Sequence, residues 1–357
     1  MIDLNPTTTQ RMTTKPEFSE RLLSWFEQHG RHDLPWQVPN NPYKVWVSEI
    51  MLQQTQVKTV LQYFDRFMQR FPTVQDLGNA SWDEVAPYWA GLGYYARARN
   101  LHKAAGVVSK KGKFPTTLDE WMELSGIGRS TAGALMSLGL RQFGVIMDGN
   151  VKRVLSRYLA LDGDSMSSGF IKNIWQIAES LTPQTRAHDY NQAIMDLGAT
   201  ICTPKKPLCL YCPMQSDCTA FKQNRVLELP EKPIRKAMPT RYATVLFIEH
   251  HQNFLWQQRP PEGLWGGLWS LPVIENDLEI ENLEQILKNV ALMNGIKGKK
   301  IRHTFTHFHW ELQAIHFNVD MTIKEKLGSY FAPTRWMNDV EALNAGIPEA
   351  MRKLLVK

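Results

Sequence analysis

Four cysteines, Cys202, Cys209, Cys212 and Cys218, fall within one short stretch of the chain, and no others occur. Their spacing is C-x6-C-x2-C-x5-C. Four soft thiolates close a tetrahedral zinc site or hold a four-iron cluster. Spacing alone leaves both open, and the C-x2-C pair leans towards zinc. Thiols this crowded make a poor disulfide framework. Pro204, Pro207 and Pro213 interrupt helix between them, so the segment reads as a loop wrapped on a metal. Lys205 and Lys206 lie on that loop, where they can reach phosphate.

Two carboxylates stand out. Glu49 sits in an apolar helical run, between Val47 and Ile50-Met51-Leu52. A carboxyl there is either paired in the core or functional, and burial would keep it protonated as a general acid. Asp148 precedes Gly149-Asn150 and a helix starting near Val151. It is either a plain N-cap or an anion kept ionised by the helix dipole. One neutral and one ionised carboxyl is the pairing that breaks glycosidic bonds. Between two helical segments lies Leu124-Ser125-Gly126-Ile127-Gly128-Arg129-Ser130. Gly126 and Gly128 permit a sharp turn and a close approach to a partner, and the next helix start can hold a phosphate. An ordinary helix–helix turn explains the same residues.

These groups must be held by scaffold. From Pro16 to about Phe221 the apolar residues recur at helical spacing. One long run, Trp46 to Phe71, is broken by the polar patch Gln53-Gln54-Thr55-Gln56. Further helices are expected over Trp82–Ala90, Tyr95–Val108, Leu118–Leu124, Ser130–Leu140, Val151–Leu159, Phe170–Leu181 and Tyr190–Ile201. Glu228–Thr240, with Pro230, Pro233 and Pro239, reads as an extended linker. Beyond it Ala243–Glu249, Phe254–Gln258 and Arg302–Phe317 read as strands, with helices over Leu283–Met293 and Glu349–Val356. A length of 357 residues fits at least two domains, and 43% hydrophobic residues with twelve tryptophans argue for packed cores. The net charge of +6 suits a polyanionic partner, nucleic acid first. No stretch reads as a signal peptide or a membrane span, so a cytoplasmic protein is expected.

Together these pieces resemble the helix–hairpin–helix DNA glycosylases, and within them the MutY-type adenine glycosylases. The resemblance rests on Gly30-Arg31 to Leu34-Pro35-Trp36, Tyr43-Lys44-Val45-Trp46 and Ser48-Glu49-Ile50-Met51-Leu52-Gln53-Gln54-Thr55-Gln56. It also rests on Gly91-Leu92-Gly93-Tyr94-Tyr95-Ala96-Arg97, the glycine hairpin, Asp148-Gly149-Asn150-Val151 and the cysteine loop. The resemblance implies one [4Fe–4S] cluster on the four cysteines. It implies a multidomain chain: an all-α, two-lobed glycosylase domain with an iron–sulfur loop, then an α+β Nudix-like domain. The expected boundaries are a flexible tail 1–16, a catalytic domain 17–225, a linker 226–240 and a Nudix-like domain 241–357. Within the catalytic domain a six-helix lobe spans about 43–145, and a cluster lobe combines about 17–42 with 146–225.

The implied reaction removes adenine opposite 8-oxoguanine, or guanine, from double-stranded DNA after flipping it out of the helix. Glu49 would act as acid and Asp148 as cation stabiliser. Tyr94 and Gln54 would wedge beside the lesion, with Arg31, Leu52 and Gln192 in the adenine pocket, and Ser130 and Asn150 would also bind substrate. Gly126, Gly128 and Lys152 would face phosphates. Related enzymes that also nick the strand carry a lysine where this chain has Ser130, and serine forms no Schiff base, so a monofunctional enzyme is expected. A monomer is also expected.

The segment from Gln258-Arg259-Pro260 through Gly263-Leu264-Trp265-Gly266-Gly267-Leu268-Trp269 resembles the family's Nudix-like domain. The glutamate box of a working Nudix hydrolase is missing: Glu275, Glu279, Glu281 and Glu284 are scattered. The domain is therefore expected to read oxidised guanine through Phe305, Thr306 and His307, with threonine where the family has serine. Rival readings are a thymine-glycol endonuclease, opposed by Ser130, and a nucleotide pyrophosphohydrolase, opposed by the missing box. A DNA-binding module without catalysis is opposed by Glu49 and Asp148, and a plain zinc protein by the resemblance.

Overall fold

The computed structural model describes residues 15–37, 41–233, 237–276, 282–283, 287–288, 292–331 and 333–355. The expected tail and most of the expected helix Leu283–Met293 lie outside them. Among the described residues the chain packs as two compact units. One holds the residues through Gln54 and those from Val107 to the proline-bearing linker. The other holds Thr55–Gly106 with the C-terminal region.

The first unit is helical. Its helices are α1 Lys15–His29 and α2 Pro42–Leu52, then, after three helices of the other unit and the shared α6 Tyr95–Lys111, α7 Leu118–Met122 and α8 Arg129–Ala134. It continues with α9 Gly149–Leu159, α10 Ser168–Leu181, α11 Ala187–Asp196 and α12 Thr219–Lys222. Fully buried Trp46 meets Trp121 edge-on at 5.5 Å, and Phe18 packs against Tyr158 at 4.8 Å. Such aromatic pairs contribute about 0.5–1.5 kcal/mol each beyond their buried area. Asn41 caps α2 by accepting from the amides of Tyr43 and Lys44.

Two helices expected to run unbroken end in π-helical turns, Leu135–Gly139 and Leu197–Ile201. The reason is tertiary. Gly133 lies so close to the Val145 carbonyl that a Cβ would sit 2.0 Å from its oxygen, and Ser137 Oγ donates to the Gly133 carbonyl. Buried Asn191 then ties the turn down by donating to Ser137 Oγ and the Gly144 carbonyl, each at 2.8 Å. Gly198 in the second turn rests on Asn150, whose Cβ would be 2.6 Å from any added methyl.

In the second unit α3 is Val57–Arg70, α4 Val74–Asn79 and α5 Trp82–Trp89. The polar patch between Trp46 and Phe71 is therefore a real break between α2 and α3. Helix α5 is fixed to the C-terminal region. Trp82 Nε1 donates to the Gly267 carbonyl at 2.9 Å, and a Cβ on Gly267 would press on that indole at 2.9 Å. From α6, Tyr95 Oη donates to the Ile347 carbonyl at 3.1 Å.

Among the described residues the C-terminal sheet has seven strands: β1 Thr240–His250, β2 Asn253–Gln258, β3 Trp269–Ser270, β4 Val273–Glu275, β5 Ile296–Thr304, β6 His309–Asn318 and β7 Thr334–Met337. Its order is β3-β2-β1-β6-β5, with β4 paired to β1 and β7 to β2. β1 and β6 run parallel in the sheet centre and the other pairs are antiparallel. One face of the sheet carries a core of Leu246, Ile248, Ile315 and Phe317, packed with Leu283, Leu287, Leu292 and Leu327. Arg302–Phe317, read as one strand, is a hairpin whose turn falls at 305–308. The two- to four-residue strands β3, β4 and β7 and the helices Met321–Tyr330 and Asp339–Asn344 escaped the sequence reading. Strands that short carry no alternation to recognise.

Candidate active site and cysteine pocket

Helix α2 places Glu49 beside the segment that carries Asp148. Burial raises the Glu49 carboxyl from 4.5 to about 7, and the Asp148 charge adds to the rise. Part of its surface stays open to solvent. Asp148 is the N-cap of α9, accepting from the Val151 amide at 2.7 Å. Asn150 Nδ2 donates to its other oxygen at 2.9 Å. Asp148 is thus a helix cap in this fold, one of the two readings its sequence allows.

Asn150 is held in turn. Its amide oxygen accepts from Arg153 at 2.8 Å, and Arg153 also donates to the carbonyls of Gly198 and Cys202, each at 2.7 Å. Ser130 Oγ accepts from the Met147 amide at 3.0 Å, fixing the backbone just before Asp148. Lys152 Nζ donates to the Ser165 carbonyl at 3.1 Å, and burial lowers its pKa.

Arg31 and Gln192 are joined through a residue that the sequence reading missed. Asp196, fully buried, accepts from the Arg31 backbone amide at 2.7 Å and from its guanidinium at 2.6 and 3.0 Å. It also accepts from Gln192 Nε2 at 2.9 Å. The available signal was the i, i+4 spacing of Gln192 and Asp196 on one helix face. Leu52, half-buried, closes the last turn of α2.

Gln54 and Tyr94 are both exposed and both in left-handed backbone, at φ 58° and 49°. Non-glycine residues there are uncommon and mark positions held for a reason. The Arg97 guanidinium lies 5.4 Å from the Tyr94 ring centre. In the hairpin Gly126 is left-handed at φ 79°, whereas Gly128 is the N-cap of α8 at φ −92°. A Cβ on Gly128 would meet no protein atom within 4 Å. Nothing in the fold therefore requires glycine there, and the exposed backbone is accessible to an outside group.

The four cysteines line one apolar-walled cavity together with Arg157, Ile201, Gln215, Phe221 and Val226. Burial pushes the Cys212 thiol up to about 12 and raises Cys209 and Cys218. The donor type is that of a cluster ligated by four thiolates, although among the described residues the four thiols are not drawn together into a ligand group. Arg157 builds the loop around it. Buried to 2% exposure, it donates to the carbonyls of Leu229, Thr203 and Pro204 at 2.9, 2.8 and 3.2 Å, and to Cys202 Sγ at 3.3 Å. Arg153 and Arg157 are an i, i+4 pair on the helix face that also buries Val154. Arg157→Leu strands those carbonyls and is expected to cost about 3 kcal/mol or more in denaturant unfolding, with faster loss of the cysteine loop to protease. A cost under about 1 kcal/mol would refute this role.

In the C-terminal unit the turn between β5 and β6 closes by a Phe305 amide to Phe308 carbonyl bond of 2.9 Å. The Phe305 ring packs on His303 and Phe308 at 4.7 and 4.8 Å. Thr306 and His307 stand exposed at the tip, with Thr306 Oγ1 2.7 Å from His307 Nδ1.

Residues 47–180 match the HhH-GPD superfamily of base excision DNA repair proteins, and residues 243–357 match the NUDIX domain. The chain is 36% identical to an adenine DNA glycosylase of Buchnera aphidicola, covering 96% of this chain and 97% of that protein. It is 33% identical to the adenine DNA glycosylase of Homo sapiens, covering 94% of this chain and 73% of that one. A thermostable thymine-DNA glycosylase structure superposes with a TM-score of 0.53 at 29% identity, covering 58% of this chain and 97% of that one. Helical domain and sheet domain thus occur in the order that these relatives have, and the chain belongs to the adenine DNA glycosylase family.

Proposed function

We propose that this glycosylase excises adenine opposite 8-oxoguanine, or guanine, from double-stranded DNA by flipping it out of the helix, and that it leaves the strand intact. The observation that carries the reading is the pairing of Glu49, raised to about 7, with ionisable Asp148 on the α9 N-terminus. Neutral Glu49 gives its proton to a ring nitrogen of adenine as the N-glycosidic bond breaks. The bonding pair leaves with the base, and C1′ becomes oxocarbenium-like. Asp148, held by Val151 and Asn150, stabilises that cation. Water adds to C1′ and returns a proton to Glu49, leaving an abasic site.

Arg31 and Gln192 read the base. A carboxylate is an acceptor only, so Asp196 faces the Gln192 NH2 and leaves the amide oxygen free. That oxygen accepts from the adenine 6-amino group, while the Arg31 guanidinium donates to a ring nitrogen. Leu52 lines the pocket. Tyr94 and Gln54, set out by left-handed backbone, fill the space beside the lesion. Gly126, Gly128 and Lys152 meet phosphates, and Thr306 and His307 address the oxidised guanine. Cys202, Cys209, Cys212 and Cys218 hold a [4Fe–4S] cluster, which supplies a structural clamp for the loop. Catalytic residues lie in 17–225 and lesion reading in 241–357, with 226–240 as linker, and the enzyme acts as a monomer on DNA in the cytoplasm.

The test is single-turnover cleavage of short duplexes with adenine opposite 8-oxoguanine, adenine opposite thymine, and thymine glycol opposite adenine. Alkali-dependent breakage at the first duplex only is expected. Breakage without alkali would overturn the monofunctional reading, and equal rates on the first two duplexes would overturn the lesion reading.

A further inference from the structure

Three of the four residues in the turn that ends at Tyr94 have left-handed backbone: Gly91 at φ 102°, Gly93 at φ 71° and Tyr94 itself at φ 49°. A non-glycine residue there persists only where its surroundings over-determine it. Some of the restraints come from the helices on either side. From α5, Trp89 Nε1 donates to the Gly93 carbonyl at 3.2 Å. From α6, the Arg97 amide donates to the Tyr94 carbonyl at 2.9 Å, and the Arg97 guanidinium reaches the Gly93 carbonyl at 3.4 Å.

A further restraint comes from the C-terminal region, through the next residue in the chain. Tyr95 is 8% exposed, whereas Tyr94 is 47% exposed. The Tyr95 hydroxyl donates to the Ile347 carbonyl at 3.1 Å and takes a backbone hydrogen bond from Gly91, the first residue of the turn. Ile347 is itself clamped. It is fully buried, in the link between the helices Asp339–Asn344 and Glu349–Leu355. The preceding carbonyl, that of Gly346, accepts from the Trp269 amide of β3 at 3.1 Å. A Cβ on Gly346 would stand 2.4 Å from the Ala86 Cβ of α5, so this link is pressed against the helix that leads into the turn. A buried phenol must find partners wherever it lies, but here one partner is in the turn and the other in the C-terminal region.

We propose that Tyr95 is a positioning residue for Tyr94: its hydroxyl ties the Gly91–Tyr94 turn to Ile347, so that the Tyr94 side chain meets the duplex as a stiff body. The inference rests on the reading of Tyr94 as the residue that fills the space beside the lesion. Filling that space means unstacking bases, and a loose side chain must be ordered at the moment of entry. A side chain held beforehand avoids that cost. The C-terminal region then serves extrusion of the adenine as well as reading of the base opposite.

The experiment uses the full-length protein and follows extrusion by the fluorescence of 2-aminopurine placed opposite 8-oxoguanine, beside single-turnover excision of adenine. Tyr95→Phe keeps the ring and removes the hydroxyl. Extrusion and excision should both fall about tenfold, the worth of one buried hydrogen bond. Excision should fall by the same factor opposite 8-oxoguanine and opposite guanine. In a Tyr94→Ala background the same change should lower neither by more than about twofold, because the group being positioned is gone. Backbone amide exchange over residues 91–94 should quicken about tenfold in Tyr95→Phe. A hydroxyl that only supports the core predicts equal losses in both backgrounds, and that result would overturn the proposal. Unchanged amide exchange at 91–94 would overturn it as well. Tyr94→Ala alone is the control for the underlying reading. If it leaves extrusion unchanged, the reading of Tyr94 fails, whereas amide exchange still decides whether Tyr95 holds the turn.

Discussion

Glu49→Gln is expected to bind substrate duplex with unchanged affinity while single-turnover excision falls by about 10²–10⁴-fold, the usual worth of a positioned general acid. Glutamine keeps the shape and loses only the titratable proton. In the parent, excision should decline about tenfold per pH unit as pH rises through about 7, because the carboxyl must be neutral to donate. The variant should lack that decline. Its stability carries a second signature. The folded pKa of Glu49 is raised, so the protein binds this proton more tightly when folded than when unfolded. Stability contributed by the group is complete below 4.5 and is lost as pH rises to about 7. Glu49→Gln should therefore gain stability relative to the parent across that window and keep the gain above it. Near-normal excision, or a parent profile flat across pH 7, would remove Glu49 from the acid role.

Much of this site could be read before any coordinates. Glu49 was conspicuous because a carboxylate inside an apolar helical run is expensive unless something explains it. Asp148 was legible as a cap from the residues after it. Gln53–Gln56 was legible as a break because polarity interrupted a helical period, although nothing in the sequence indicated that Gln54 takes a left-handed backbone. The groups that hold these residues were not visible. Asp196, Arg153 and Arg157 look like ordinary charges on amphipathic helices, and only the tertiary fold turns them inward. The π-helical turns at Leu135–Gly139 and Leu197–Ile201 follow from close backbone contacts at Gly133 and Gly198, which local propensity cannot supply. In the sheet, the Arg302–Phe317 run hid its turn because Phe305 and Phe308 continue the aromatic pattern while closing the hairpin.

Asp196→Asn tests the strongest claim that sequence alone did not make. The aspartate side chain is 1% exposed and its Arg31 partner 27%. Breaking a fully buried pair by removing one partner costs about 3–5 kcal/mol, and the partial exposure of Arg31 reduces this, so a loss of about 2–3 kcal/mol is expected in denaturant unfolding. The functional consequence is sharper than the stability loss. Aspartate forces the Gln192 amide into one orientation, whereas asparagine accepts either. Released, Gln192 can turn its NH2 towards the base and satisfy a 6-oxo group as readily as a 6-amino group. The parent should prefer adenine to hypoxanthine at the same position, and the variant should narrow that preference by about tenfold, one hydrogen bond of about 1.4 kcal/mol. Gln192→Ala should abolish the difference between parent and variant, because the residue being oriented is gone. A merely structural Asp196 predicts a uniform fall in excision of both bases, with the ratio unchanged. Equal ratios in parent and variant, at a temperature where both are folded, would therefore confine Asp196 to the core and leave base selection to residues elsewhere in the pocket.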